Sequence, residues 1–290
     1  MRRPSLWLRT ASLLLLCALG LGVWLAVTSG GDHVSAPSTS GITYEEYQQA
    51  PSLQKMHDKQ DHAKVPAKGI AMIMDDVGYD LKQVRRVLAL PFPVALSILP
   101  FSPYAGKAAR LANGHGNIVM LHLPMEAVGQ MGKGKIGNNF LRTDMSRPEA
   151  RQRMLSALER VPHVVGINNH MGSLLTSMVG PMRWVMEICR QQGLFFVDSR
   201  TSKETVAAGQ AKLAGIRWGE RRVFLDHNSD MESLKSAWKL AKRYLARDGY
   251  CIVILHPHAE TLDFLEHRIS EFDKRQIVPV TDLLHQGKET

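Results

Sequence analysis

The chain has 290 residues and is 44% hydrophobic, which supplies enough apolar side chain for a real core and excludes global disorder. Its net charge of +9 is partly local to Arg2, Arg3 and Arg9, and the remaining excess is scattered in small clusters such as Arg217, Arg221 and Arg222, a surface compatible with anionic glycans or membrane; no aromatic-interleaved basic stripe argues for nucleic acid, so no nucleic-acid partner is expected. Three cysteines, one of them inside an apolar N-terminal run, provide no disulfide framework.

In chain order, the first predicted element is an export segment. Arg2, Arg3 and Arg9 precede the uncharged run Ala11 to Val27, and the polar residues Thr28 to Asp32 follow. Residues 1–30 therefore read as a signal peptide or signal anchor that contacts the membrane at least transiently. Residues 31–67 shift to Ser, Pro, Gly, Gln, Lys and Asp without sustained apolar periodicity, the composition of a flexible linker. The folded domain is expected over residues 68–290.

That domain opens with Ile70 to Met74, a buried strand that empties into Asp75 and Asp76. Gly78 permits a tight turn, and Asp80 is placed to cap a helix over Leu81 to Leu90. The pattern then recurs. Pro93 to Leu99 is a strand followed by a helix from Ser102-Pro103. Asn117 to Leu121 runs into His122 and, four residues on, Glu126. A Gly-rich loop, Val128 to Asn139, is expected to be mobile and to border the site, where Lys133 and Lys135 would meet an anionic glycan. A helix capped by Ser146 with Pro148 in its first turn precedes Val164 to Ile167, which empties into Asn168, Asn169 and His170. Leu194 to Val197 leads to Asp198, Val223 to Leu225 to Asp226, and Cys251 to Leu255 to His256; a last strand is expected at Ile277 to Val280. Cys189 and Cys251 read as small buried hydrophobes.

Short apolar strands alternating with helices predict a parallel α/β sheet. Strand exits are turns, and turns favour Asp and Asn, so those residues alone decide little. Histidine is not a turn residue, which makes His122, His170 and His256 harder to assign to turn chemistry. A barrel brings separate strand ends to one rim and would gather Asp75, Asp76, His122, His170, Asp198 and His256. Asp76, His122 and His170 are then a carboxylate and two imidazoles, a set suited to zinc or a similar divalent ion with one position left open for water. Asp75 and His256 are of suitable type for base and acid, and Asp198 for a carboxylate orienting His256 or another site group.

The order of these motifs resembles the polysaccharide deacetylases, and more closely their divergent polysaccharide deacetylase branch, over roughly Lys68 to Gln286. Ile73-Met74-Asp75-Asp76 is similar to the family's Thr-Phe-Asp-Asp, which implies Asp75 as catalytic base and Asp76 as metal ligand. His122-Leu123-Pro124-Met125-Glu126 keeps the first histidine of a His-x-x-x-His pair and has Glu126 in place of the second. The family's Arg-Pro motif is lost at Asn168 to Ser173, Asp198 matches the start of the fourth motif, and Ile254-Leu255-His256 approximates the motif of the catalytic acid with its spacing shifted by one. The resemblance implies a distorted (β/α) barrel with about seven parallel strands and helices outside. The third metal ligand is expected to be His170, with Glu126 left as an alternative ligand or a neighbour that supports the ligands.

Two functions stay open from the sequence. The first is metal-dependent hydrolysis of acetyl groups on an envelope polysaccharide or peptidoglycan-like glycan, with zinc the preferred metal. The protein would be exported, either periplasmic or anchored to the inner membrane facing the periplasm. The second is a non-catalytic envelope module that keeps the barrel to bind glycan or a protein partner. Both aspartates and three strand-end histidines favour the enzyme, and the missing Arg-Pro motif favours the module.

Overall fold

The computed structural model describes residues 67–129 and 139–287. The expected export segment, the linker and most of the loop Val128 to Asn139 lie outside the described residues.

Among the described residues eight strands mostly alternate with helices: β1 (Gly69–Val77), α1 (Leu81–Leu88), β2 (Ala95–Ile98), α2 (Ala105–Gly114), β3 (Val119–Met125), α3 (Arg147–Arg160), β4 (Val164–Met171), α4 (Val179–Gln191), β5 (Phe195–Asp198), α5 (Ala207–Leu213), β6 (Trp218–Glu220), β7 (Val223–Phe224), α6 (Met231–Asp248), β8 (Tyr250–Leu255), α7 (Ala259–His267) and α8 (Glu271–Lys274). All strand pairs are parallel, in the order β6-β5-β4-β3-β2-β1-β8-β7. The edge strands β6 and β7 are joined only by Arg221 and Arg222, whose N–H groups reach outward to Asp198 O on β5 and Ile252 O on β8. The sheet therefore curls most of the way round without its edges pairing, an open form of the distorted barrel that the sequence predicts.

Side chains alternate across each strand, so the sheet has two apolar faces. Met72, Met74, Leu96, Ile98, Leu121 and Phe196 face the helix layer. Ala71, Ile73, Ala95, Met120, Val197 and Ile254 fill the inside of the curl. Gly166 on β4 has no room for a side chain, because a Cβ there would run into the Phe195 ring. The inside is closed at the strands' N-terminal end by the 3₁₀ turn Val280–Leu283 and Leu284. Filling one end with hydrocarbon leaves only the C-terminal end open for polar chemistry.

The predicted caps form. Asp80 accepts from Lys82 N at 2.7 Å to open α1, and Ser146 N donates to Glu149 at 2.8 Å to open α3. Both Cys189 and Cys251 are buried free thiols. Two strand assignments change. Ile277 to Val280 is not a strand; it makes one bridge, Ile70 with Ile277, before turning into the 3₁₀ segment, because Pro279 has no N–H to continue a ladder. Conversely β6, three residues long and carrying Gly219, pairs with β5 although it is too short to show a periodic pattern.

Candidate active site

The C-terminal mouth collects its polar groups by strand parity. On β1, Asp75 falls on the inner face with Ala71 and Ile73, and strict alternation would turn Asp76 outward to the helices. A bulge prevents this: pairing with β2 slips between Met74 and Val77, and Asp76 adopts a left-handed backbone with φ 55°. Gly78 supports the turn that follows. Its φ is 125°, and a Cβ would collide with Ser102 Oγ. His122 shares the inner face with Met120, and Ser97 with Ala95. Asn168 and His170 alternate with Gly166, and His256 continues the inner row of Ile252 and Ile254. Among the described residues four non-glycines have left-handed backbones, and three of them, Asp76, Met171 and Arg200, line this one cavity of about 390 Å³. Such strain gathers where structure serves a site.

Three atoms form a tight triangle. Asp76 Oδ1 lies 3.0 Å from His170 Nδ1 and 3.2 Å from His122 Nε2, and the two nitrogens are 3.2 Å apart. Asp76 Oδ1 is buried yet makes no well-directed hydrogen bond. A buried oxygen left in that state is costly unless something else occupies the lone pair. Ligand atoms placed ~2.0–2.1 Å around one tetrahedral ion lie about 3.3 Å apart, so the triangle fits a divalent metal. These residues are a candidate metal-binding group.

The surrounding bonds prepare the three atoms. His122 Nδ1 faces Asn168 Oδ1 at 2.9 Å, which fixes the ring so that Nε2 presents its lone pair to the triangle. Ser97 Oγ donates to the same Asn168 oxygen. Asn168 Nδ2 in turn donates to both oxygens of Asp75, at 2.8 and 3.1 Å. On the far side of the mouth, His256 Nδ1 is 3.1 Å from Asp226 Oδ1, and its backbone N–H donates to Asp226 Oδ2 at 2.7 Å. Thr261 Oγ1 donates to that second oxygen at 2.8 Å, so Asp226 is fully engaged in holding His256. His256 Nε2 is thereby the free nitrogen, 3.9 Å from Asp76 Oδ2.

Electrostatics follow from burial and from these contacts. Burial pushes the Asp75 carboxyl above its ordinary range, although His122 and the Asn168 bond pull the other way. Burial also works to raise Asp76, but the two imidazoles outweigh it and hold that carboxyl well below the usual range. For His122, burial opposes charge, and Asp75 with Asp76 overcomes it, raising its affinity for a proton. His256 behaves likewise: burial opposes its charge, and Asp226 with Asp75 and Asp76 together overcome it. The mouth thus favours positive charge between its two carboxylates.

The comparisons with known proteins decide the lineage. Residues 72–284 match the family described as divergent polysaccharide deacetylase. The chain belongs to the divergent polysaccharide deacetylases. Among relatives in this family, the uncharacterized protein YibQ of Escherichia coli K12 is 36% identical over 205 residues, covering 71% of this chain and 63% of YibQ. An uncharacterized protein of Haemophilus influenzae is 34% identical over 197 residues, 68% of this chain and 69% of that one. The match thus spans less than two thirds of the E. coli relative's length. The crystal structure of uncharacterized protein ATU2773 from Agrobacterium tumefaciens C58 shares the fold, with a TM-score of 0.69, 21% identity, and coverage of 75% of this chain and 90% of that one.

Against this divergent deacetylase frame, Asp75, Asp76, His122, His170 and His256 stand together at the mouth. Two sequence-predicted residues do not join them. Asp198 does not orient His256. It shares the outer parity of Phe196, and its oxygens accept from Arg200 N and Thr205 Oγ1, both at 2.8 Å. Asp226 takes the orienting place because it shares the inner parity of Phe224. Glu126 is not in the ligand group either: its Oε2 accepts from Thr143 N at 2.7 Å and Thr143 Oγ1 at 2.8 Å. Those bonds join the chain before the Gly-rich loop to the chain after it, beside the Met125–Leu141 bridge. Asn168, Ser97, Asp226 and Arg221 escaped sequence reasoning. Only Asn168 and Asp226 left a signal, Asn168 sitting two residues before His170 on the same face and Asp226 at a strand exit.

Proposed function

We propose that this protein is a metal-dependent hydrolase that removes acetyl groups from an exported polysaccharide or peptidoglycan-like glycan, acting outside the cytoplasm. The observation that carries the reading is the triangle of Asp76 Oδ1, His122 Nε2 and His170 Nδ1 with Asp75 on one side and His256 on the other. A divalent metal held by Asp76, His122 and His170, zinc by preference for two imidazoles and one carboxylate, supplies Lewis acidity to the acetyl carbonyl and to the attacking water.

The chain's own residues move the protons. Asp75, whose nearer oxygen is 3.6 Å from His122 Nε2, takes a proton from water as its oxygen attacks the carbonyl carbon. Asn168 holds that carboxylate in place, the service that the missing Arg would give. His256 Nε2 delivers a proton to the leaving nitrogen as the carbon–nitrogen bond breaks, so water and amide become acetate and amine. Asp226 keeps the imidazole's proton available by favouring its charged form.

The test is metal content of the purified protein, with acetate release measured on peptidoglycan and on N-acetylglucosamine oligomers. Stoichiometric metal with acetate release supports the hydrolase. Metal without acetate favours the second reading, a non-catalytic envelope module, and absence of metal at saturating zinc refutes the ligand set.

A further inference from the structure

Arg221 lines the same cavity as Asp75, Asp76, His122, His170 and His256, and it has no carboxylate partner among the described residues. Its neighbour Arg200, by contrast, is paired with Glu220. Arg221 is half-buried in the two-residue link between β6 and β7, and its backbone N–H is fixed to Asp198 O at 2.9 Å. The guanidinium is equally fixed. Nε donates to the Ser199 carbonyl at 2.6 Å and Nη2 to the Arg200 carbonyl at 2.8 Å.

Nε and Nη2 share one edge of the guanidinium plane, so that edge is clamped by neutral oxygens. The other edge, formed by Nη1 and the second hydrogen of Nη2, has no acceptor among the described residues. Two parallel N–H groups on a rigid plane pair two-to-two with a carboxylate. Burial, joined by the like charge of Arg200, acts on this group more strongly than the nearby charges of Asp198 and Asp75, so its pKa is lowered and its charge is undercompensated.

We infer that Arg221 forms an anion-reading subsite of this cavity, receiving a carboxylate carried by the glycan beside its acetylated nitrogen. The inference rests on the hydrolase reading for the glycan and adds its class: an acidic, carboxylate-bearing oligosaccharide. Fixing the clamped edge in advance means that little side-chain freedom is lost when the carboxylate docks.

The test compares two N-acetylated disaccharides of equal length by calorimetric titration of the full-length, metal-loaded protein. One is neutral di-N-acetylchitobiose; the other is N-acetylglucosaminyl-N-acetylmuramic acid, which carries a lactyl carboxylate. The wild type is expected to bind the acidic disaccharide about tenfold or more tightly, the scale of charge-assisted hydrogen bonds. Arg221→Gln is expected to abolish the preference and Arg221→Lys to keep part of it, with unchanged metal content reporting an intact site. Equal wild-type affinities, binding of neither disaccharide, or a preference that survives Arg221→Gln overturns the inference. An Arg221→Gln loss that is equal for both disaccharides also overturns it and assigns the charge to supporting Asp75. Acetate release is followed in parallel: release from neither disaccharide counts against the hydrolase, while the binding comparison still decides on Arg221.

Discussion

Asn168 and Asp75 are joined across the barrel mouth by two hydrogen bonds from one amide nitrogen, at 2.8 and 3.1 Å, although they lie on strands separated by β2 and β3. The amide oxygen of Asn168 accepts from Ser97 and faces His122 Nδ1 at 2.9 Å. One side chain therefore sets both the carboxylate proposed as base and the ring of a candidate metal ligand, and its two ends can be separated by mutation.

Asn168→Ala removes both ends and is expected to weaken metal affinity about 10- to 100-fold, as loss of a group that orients a ligand does. Asn168→Asp keeps an oxygen for His122 but places a carboxylate against Asp75. It should retain more metal than the Ala variant and still lose turnover at saturating metal. Metal titration and acetate release on the two variants check this, and equal metal affinities in the two would show that the His122 bond carries no weight.

The ligand set makes a sharper prediction. His122→Ala and His170→Ala should each lose bound metal while remaining folded, because both rings, buried His122 included, sit among polar groups of the mouth and outside the two apolar clusters. Asp75→Asn should keep the metal and lose hydrolysis, since the work proposed for it is proton transfer. Glu126→Ala should keep the metal too, because that carboxylate is engaged by Thr143. Retention in His170→Ala together with loss in Glu126→Ala would overturn His170 as the third ligand and assign Glu126 instead.

These residues show how far sequence reasoning reaches. The run Ile70 to Met74 and the pair Asp75-Asp76 were legible because five apolar residues are too few for a stable helix and their abrupt end in charge marks a strand exit. The histidines were legible because His seldom serves a turn. Asp198 and Asp226 look alike in sequence, each closing a short strand. What separates them is which face the side chain takes, and a one-residue difference in parity sends Asp198 toward Thr205 and Asp226 toward His256. Asn168 draws its importance from Asp75, His122 and Ser97, partners on three other strands that no local pattern connects. The bulge that turns Asp76 inward is equally silent in sequence, since nothing in Met74 to Val77 announces the slipped register.

Topology is tested outside the folded domain. A reporter joined after Lys68 should be active when it requires export and inactive when it requires the cytoplasm, because Arg2, Arg3 and Arg9 precede the uncharged run Ala11 to Val27. Activity confined to a cytoplasm-dependent reporter would refute export.

Asp198 carries a pH prediction whose sign distinguishes a structural carboxylate from a catalytic one. Burial pushes its pKa up from 3.8 to about 6, against the pull of the bonds from Arg200 and Thr205. Between those values the folded state binds more protons than the unfolded state, so stability falls as pH rises from about 4 through 6, by on the order of 3 kcal/mol. The cost is then fully present at neutral pH, where the buried carboxylate is ionised. Asp198→Asn removes that charge, while its amide oxygen can accept from Arg200 N and its amide nitrogen can donate to Thr205 Oγ1. The variant should therefore gain stability relative to wild type as pH rises from 4.5 to 8, the difference growing with the ionisation of Asp198 and levelling off above pH 7. Denaturant melts at several pH values read this directly. Acetate release, with His256 held by Asp226, should persist in the variant, whereas a stability difference independent of pH together with abolished turnover would return Asp198 to the catalytic set.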